Sequence, residues 1–170
     1  TVYNCVEALT NNPQVQELLH PSGLIDAPIS LNENALLLDV QAECPNGKTF
    51  IMHLKAKLDN FTIDLESDTV VVNDVKTIGK VVSEIDSNIS KYHYSRELAM
   101  YLFLLRLYVI KEYGIENPTM KANYLVVSTV PQYYTKVRAM TKKECYAGLH
   151  EFRTLLRYAA YQIGYNGYSL

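Results

Sequence analysis

The sequence predicts an α+β fold: an antiparallel meander of about four strands plus one or two later strands, packed against three to four helices that include a central apolar one. Three observations carry this. The stretch SRELAMYLFLLRLYVIKEY, Ser95–Tyr113, is apolar or aromatic at every position from Leu98 to Ile110 except Arg106. A helix that is apolar on nearly every face must be covered on nearly every side, and this one is too short and too interrupted for a membrane span. Upstream, Phe50, Met52, Leu54, Ala56 and Leu58 alternate with Ile51, His53, Lys55 and Lys57, the period of a half-exposed strand. Downstream, Thr141 and Glu144 form a capping box that opens a long amphipathic run.

In chain order, Val2, Val6 and Leu9 recur at helical spacing until Asn11-Asn12-Pro13 interrupts them. Pro13 suits the first turn of a second short helix, with Val15, Leu18 and Leu19 as its apolar side and Pro21-Ser22-Gly23 as its end. Residues 24–34 read as a connector. Ala35–Ala42 and Thr49–Leu58 read as strands around the turn Cys44-Pro45-Asn46-Gly47-Lys48. Phe61–Leu65 and Thr69–Val72 read as a third and a fourth strand. Asp74 then caps an expected helix, because Val75, Ile78, Val82, Ile85 and Ile89 make a 3-4-3-4 stripe. Ser95 is the expected N-cap of the central helix and Gly114 its stop. Asn123–Val130 reads as a buried strand, and Tyr133–Met140 as its hairpin partner or an extended arm. In the last helix Cys145, Leu149, Phe152, Leu156 and Ile163 share one side, and Gly164–Leu170 reads as a tail with Tyr165 and Tyr168 as anchors.

The length of 170 residues suits one domain with a hydrophobic core, and no repeat or linker calls for a second. The chain begins at Thr1, which fits a domain excised from a longer protein. Formal charge is only -2, so a general pull toward nucleic acid or acidic lipid is not expected of the whole surface. Cys5, Cys44 and Cys145 show neither a disulfide framework nor a zinc motif, which favours a reducing, intracellular and cytoplasmic setting. Asn60-Phe61-Thr62 and Asn88-Ile89-Ser90 match the glycosylation pattern, as chance allows among twelve Asn.

Charge is unevenly divided. Residues 1–85 hold five basic and twelve acidic side chains; residues 86–170 hold eleven basic and six acidic. Thirteen of the fourteen tyrosines fall at or beyond Tyr92. On the last helix Lys143, Tyr146, His150, Arg153, Arg157 and Tyr161 lie mostly away from the apolar side, and Lys136 and Arg138 upstream share their character. Such a surface fits a protein interface or self-association, since Arg and Tyr are favoured there. It equally suits phosphates and stacked bases, or is simply solvated, or pairs with the acidic half.

No GxGxxG, Walker loop, HExxH, CxxC or GxSxG occurs, and no cofactor or metal site is assigned. His20, His53, His93 and His150 have no close metal-ligand partner apart from Cys145 near His150, five residues apart and therefore not on one helix face. Arg106 is expected to snorkel at the helix rim. The segment LLLDVQAECPNGKTFIMHLK resembles the metal-dependent PD-(D/E)xK nuclease core: Asp39 on a strand, Glu43 before the turn, and Lys55 ending His53-Leu54-Lys55. In that family the acids hold Mg²⁺ and the Lys orients the attacking water or steadies developing charge. Here the second acid of the triplet is missing, and Glu7 is the spare carboxylate. The expected function is therefore a protein-interaction or assembly domain led by Arg153 and Arg157. Nucleic-acid binding is the alternative, and a metal-dependent nuclease-like enzyme with an incomplete motif is the third.

Overall fold

The computed structural model describes residues 1–21, 28–44 and 47–166, with the side chains of residues 165 and 166 left aside. Within them α1 (Val2–Thr10) and α2 (Pro13–Leu19) precede β1 (Ile29–Glu43), β2 (Thr49–Asp64) and β3 (Thr69–Ile78). A 3₁₀ turn at Val82–Glu84 leads into α3 (Ile85–Lys91) and α4 (Tyr94–Tyr113); β4 (Thr119–Ser128), β5 (Thr135–Ala139) and α5 (Lys142–Asn166) follow. The sheet order is β1-β2-β3-β4-β5. β3 and β4 are parallel over ten residues, Thr69↔Thr119 to Ile78↔Ser128, and the other pairs are antiparallel. An α+β fold with a mixed sheet is thus what the sequence adopts.

The central helix is as expected. Leu98, Ala99, Leu102, Leu104, Leu105 and Val109 of α4 are buried. They pack with Val70, Val72, Tyr124 and Val126 of the sheet on one side, while Phe103 meets Phe152 of α5 on the other. Gly114 ends α4 at φ +70, where its missing Cβ costs nothing. Gly148 lets α5 approach the start of α4, since an added methyl would strike the Ser95 carbonyl. Thr141 and Glu144 exchange capping hydrogen bonds, Glu144 N–H to Thr141 Oγ1 (3.2 Å) and Thr141 N–H to Glu144 Oε2 (2.7 Å). Arg106 is exposed, as a charge in an apolar helix should be.

The differences are instructive. The two strands expected at 49–58 and 61–65 are one, β2, because Asp59 and Asn60 find partners without breaking the extended chain. β1 reaches back to Ile29. The helix expected from Val75 does not start there: β3 runs through Asp74-Val75-Lys76 to Ile78, and helix begins only after the 3₁₀ turn. Val70, Val72, Asp74, Lys76 and Ile78 alternate at strand period within the helical stripe, and ten paired residues on β4 decide for the strand. Val82, Ile85 and Ile89 keep their inward side. The N-cap of α4 is His93 in the left-handed region (φ 55), with no side-chain cap, instead of Ser95. Val2 and Val6 are exposed, and Cys5 is the buried residue of α1. Tyr133–Met140 supplies the hairpin partner β5, and α5 continues through Gly164 to Asn166. The end of α2's connector at 22–23, Pro45-Asn46 and the tail anchors lie outside the described residues or side chains.

On the face away from α4, an asparagine ladder crosses the sheet. Asn60 Nδ2 donates to Asn32 (2.9 Å), Asn73 Nδ2 to Asn60 Oδ1 (2.8 Å) and to Leu18 O (3.2 Å), and Asn123 Nδ2 to Asn73 Oδ1 (3.0 Å). Asn60 and Asn73 are buried, so these bonds satisfy groups that would otherwise be costly, and they fix the register of four strands. A buried Asn60 is also unavailable as a glycosylation acceptor.

Candidate active site where β2 and β3 part

β2 pairs with β3 only from Asp64 back to Asn60↔Asn73; beyond it β1 and β2 leave as a two-stranded ribbon. At this fork the ladder loses its partner strand, and the Asp59 carboxylate replaces it, accepting from Val75 N–H at 2.8 Å. Asp74, on the other side of the fork, faces α4. Two residues on, and so on the same face of β3, is Lys76. Its ammonium lies 2.9 Å from Asp74 Oδ2 and 2.8 Å from Glu97 Oε2 of α4. Tyr101, one turn along α4, donates to Glu97 Oε1 (3.1 Å), and the Tyr94 ring centroid lies 4.7 Å from Lys76 Nζ. Strand period places Asp74 and Lys76 together, and helix period places Glu97 and Tyr101 together.

Burial sets the electrostatics. The Asp74 side chain is only 7% exposed, and its Oδ2, although close to Lys76, has no hydrogen bond of good geometry. Desolvation pushes its carboxyl up to about 6; Lys76 opposes this, while the negative charges of Glu97 and Asp59 add to it. Burial would lower the Lys76 ammonium, but Asp74 and Glu97 outweigh it and hold it above its ordinary value. Burial and the neighbouring Glu97 push the Tyr101 phenol up, so it is a donor and not an anion at neutral pH.

A buried carboxyl held up first by desolvation and then by the charges of Glu97 and Asp59, with its Oδ2 outside hydrogen-bond geometry, is short of positive charge. Lys76 supplies part of it. Among the described residues no three His, Cys, Asp or Glu side chains converge into a ready cage. Asp59 and Asp74 are the two carboxylates at the fork, and a hard cation such as Mg²⁺ needs no more than one or two, completing its shell with water and substrate phosphate.

The residues singled out in the sequence lie elsewhere. Asp39 pairs across the ribbon with His53 (2.6 Å), both well exposed, and Lys55 sits opposite Leu37, so the segment first compared with a nuclease core forms no cluster with Glu43. An acid-x-Lys triplet also occurs at Asp74-Val75-Lys76. In the sequence alone Asp74 also reads as a helix cap, which hides the triplet. Lys143, Tyr146, His150, Arg153, Arg157 and Tyr161 all lie on the exposed side of α5, spaced three or four apart. Arg153 and Arg157 border a shallow depression of about 290 Å³ with Gln41 and Glu43 of β1. On β5, Lys136 is half-buried, whereas Arg138 binds Glu144 and Asp86, with its guanidinium drawn inward. Lys76–Glu97 links the acidic first part of the chain to the basic second.

No family model matches this chain, and no curated protein matches it in sequence. The fold does have a solved counterpart. The structure of a protein from Eubacterium rectale, described as a candidate exonuclease, superposes with a TM-score of 0.59 at 10% identity over 98% of this chain. The chain spans 54% of that structure's length. At that identity the likeness concerns the fold. Among the described residues no helix is long and apolar enough to cross a membrane.

Proposed function

We propose that the chain carries the core of a metal-dependent phosphodiesterase acting on nucleic acid. The observation that supports this most is the Asp59–Asp74–Lys76 group: two acids, one on each of the strands that part, close enough for the charge of Asp59 to raise Asp74, with a lysine two residues after the second on the same face. Residues 39–55 lack the second acid of this pattern, and Asp59, Asp74 and Lys76 supply all three positions one hairpin later. The likeness of the fold to a candidate exonuclease points the same way. Asp59 and Asp74 would hold the ion. When bound, it would polarise a phosphoryl oxygen and lower the pKa of a water molecule. Lys76, kept protonated by Asp74 and Glu97, would meet the phosphate or the attacking water. Glu97 positions Lys76, and Tyr101 fixes Glu97.

The test is cleavage of labelled single- and double-stranded DNA with Mg²⁺ or Mn²⁺, against EDTA. Metal-dependent cleavage is expected, reduced on the order of 10²-fold or more in Asp59→Asn, Asp74→Asn and Lys76→Ala. Cleavage that survives all three substitutions would remove the proposal.

The exposed face of α5 supports a second reading, an interface for a protein partner or another copy. Tyr146 and Tyr158 are 72% and 63% exposed beside Arg153 and Arg157. Oligomeric state measured for Arg153→Ala/Arg157→Ala against the parent chain tests self-association there.

A further inference from the structure

A stack of aromatic and basic side chains leads away from the Asp74–Lys76 group. Lys76 Nζ lies over the Tyr94 ring, 4.7 Å from its centroid. Tyr94 is stacked on Tyr92, with centroids 5.7 Å apart and planes inclined by 29°. Lys91 Nζ in turn lies over the Tyr92 ring, 5.0 Å from its centroid. Tyr92 remains 52% exposed. The backbone pre-sets this arrangement. Tyr92 closes α3 by donating its N–H to Asn88 O (2.9 Å), and Tyr94 opens α4. His93 between them adopts φ 55 and contacts Glu151 through Nδ1 at 3.1 Å. Other exposed tyrosines, such as Tyr3, Tyr146 and Tyr158, are in no ring stack identified among the described residues.

We propose that Tyr92 is a stacking platform for an unpaired nucleobase of a single-stranded nucleic acid whose backbone runs on to the Asp59–Asp74–Lys76 group: the base replaces the Lys91 ammonium over the ring, and the flexible Lys91 side chain swings off to a neighbouring phosphate. This rests on the phosphodiesterase reading and adds the form of its substrate. A base inside a duplex has both faces covered by its neighbours, so an exposed ring selects single strands and frayed ends. Every base has a π-face, so the platform is indifferent to sequence. The stack on Tyr94 and the fixed turn at His93 hold the ring in place before binding, which reduces the ordering cost.

The experiment is fluorescence anisotropy of the full chain in EDTA with labelled single-stranded DNA, single-stranded RNA, blunt duplex DNA and an oligomer of abasic units. Binding of the single strands is expected to weaken roughly 5- to 100-fold in Tyr92→Ala and to return nearly to the parent value in Tyr92→Phe. The abasic oligomer should bind Tyr92→Ala and the parent chain alike. Lys91→Ala should reduce the salt slope by about one unit, whereas Tyr92→Ala should not. Tyr92→Leu, which keeps the bulk, takes the place of Ala if that variant does not fold. The DNA and RNA arms decide which sugar is taken. Unchanged single-strand affinity in Tyr92→Ala or Tyr92→Leu, equal loss in Tyr92→Phe, or equal loss on the abasic oligomer would each overturn the platform. Metal-dependent cleavage without Tyr92-dependent binding overturns the platform and leaves the phosphodiesterase. Tyr92-dependent binding without cleavage does the reverse.

Discussion

Asp74→Asn should stabilise the protein in a way that depends on pH. The folded-state carboxyl is pushed up to about 6 by burial, from 3.8 in the open chain. A shift of about two units corresponds to about 3 kcal/mol, at ~1.4 kcal/mol per unit. The sign follows from proton binding. Between pH 4 and 6 the folded protein holds this proton more tightly than the unfolded chain, so stability falls as pH rises through the window. Below pH 4 both states are protonated and the penalty is absent; above pH 6 it is complete. Asparagine does not titrate, and Lys76 retains Glu97 at 2.8 Å. The stability of the variant minus that of the parent should therefore rise by about 3 kcal/mol from pH 4 to pH 7, most steeply near pH 5.

Urea unfolding in EDTA, followed by circular dichroism at each pH, measures this difference. Its pH-dependent part is the test, since any constant offset reports packing of the new amide. A flat difference would show that Asp74 is not held in a desolvated site. A falling one would show that Lys76 more than compensates for burial, and the argument that the site is short of positive charge would fail.

Other predictions rest on other parts of the molecule. Gly148→Ala ordinarily favours a helix, but here the methyl meets the Ser95 carbonyl, so a loss of about 1–3 kcal/mol is expected in the same unfolding assay. Asn73→Ala strips partners from Asn60, Asn123 and Leu18 O; about 2–4 kcal/mol should be lost, with less than 1 kcal/mol refuting the ladder as a structural element. Cleavage assays on Asp59→Asn and Lys76→Ala should show the large losses already stated. Binding assays on Tyr92→Ala and Tyr92→Phe should separate ring from hydroxyl.

The parts of the fold that were legible in the sequence are those where local pattern and tertiary packing agree. The apolar run Leu98–Ile110 permits only a buried helix, and Thr141/Glu144 can satisfy only a helix start. From Asp74 to Ile89 the local pattern is ambiguous because two periods coexist in it. Val75, Ile78, Val82, Ile85 and Ile89 fit a helix, and Val70 to Ile78 fits a strand. What decides is β4, some fifty residues away in sequence, which no local window contains. The site is legible only with the strand, because Asp74 and Lys76 share a face at period two and do not at period 3.6. The basic residues of α5 were found for the opposite reason: one helix carries them, and its period alone puts them on one side.

The same fork explains why the site is where it is. Asp59 can accept from Val75 N–H only because β2 leaves β3 just beyond Asn60↔Asn73; a further ladder pair would use that donor and fill the space with backbone. The asparagine ladder on the opposite face pins the last paired residues, so the point of divergence cannot slip by one position. A one-residue slip would turn Asp74 toward α2 and Asn73 toward α4, exchanging the acid for an amide. The ladder's stabilisation thus offsets the strain of a buried carboxylate directly behind it. Loss of the ladder should therefore impair the Asp74 group before it unfolds the sheet.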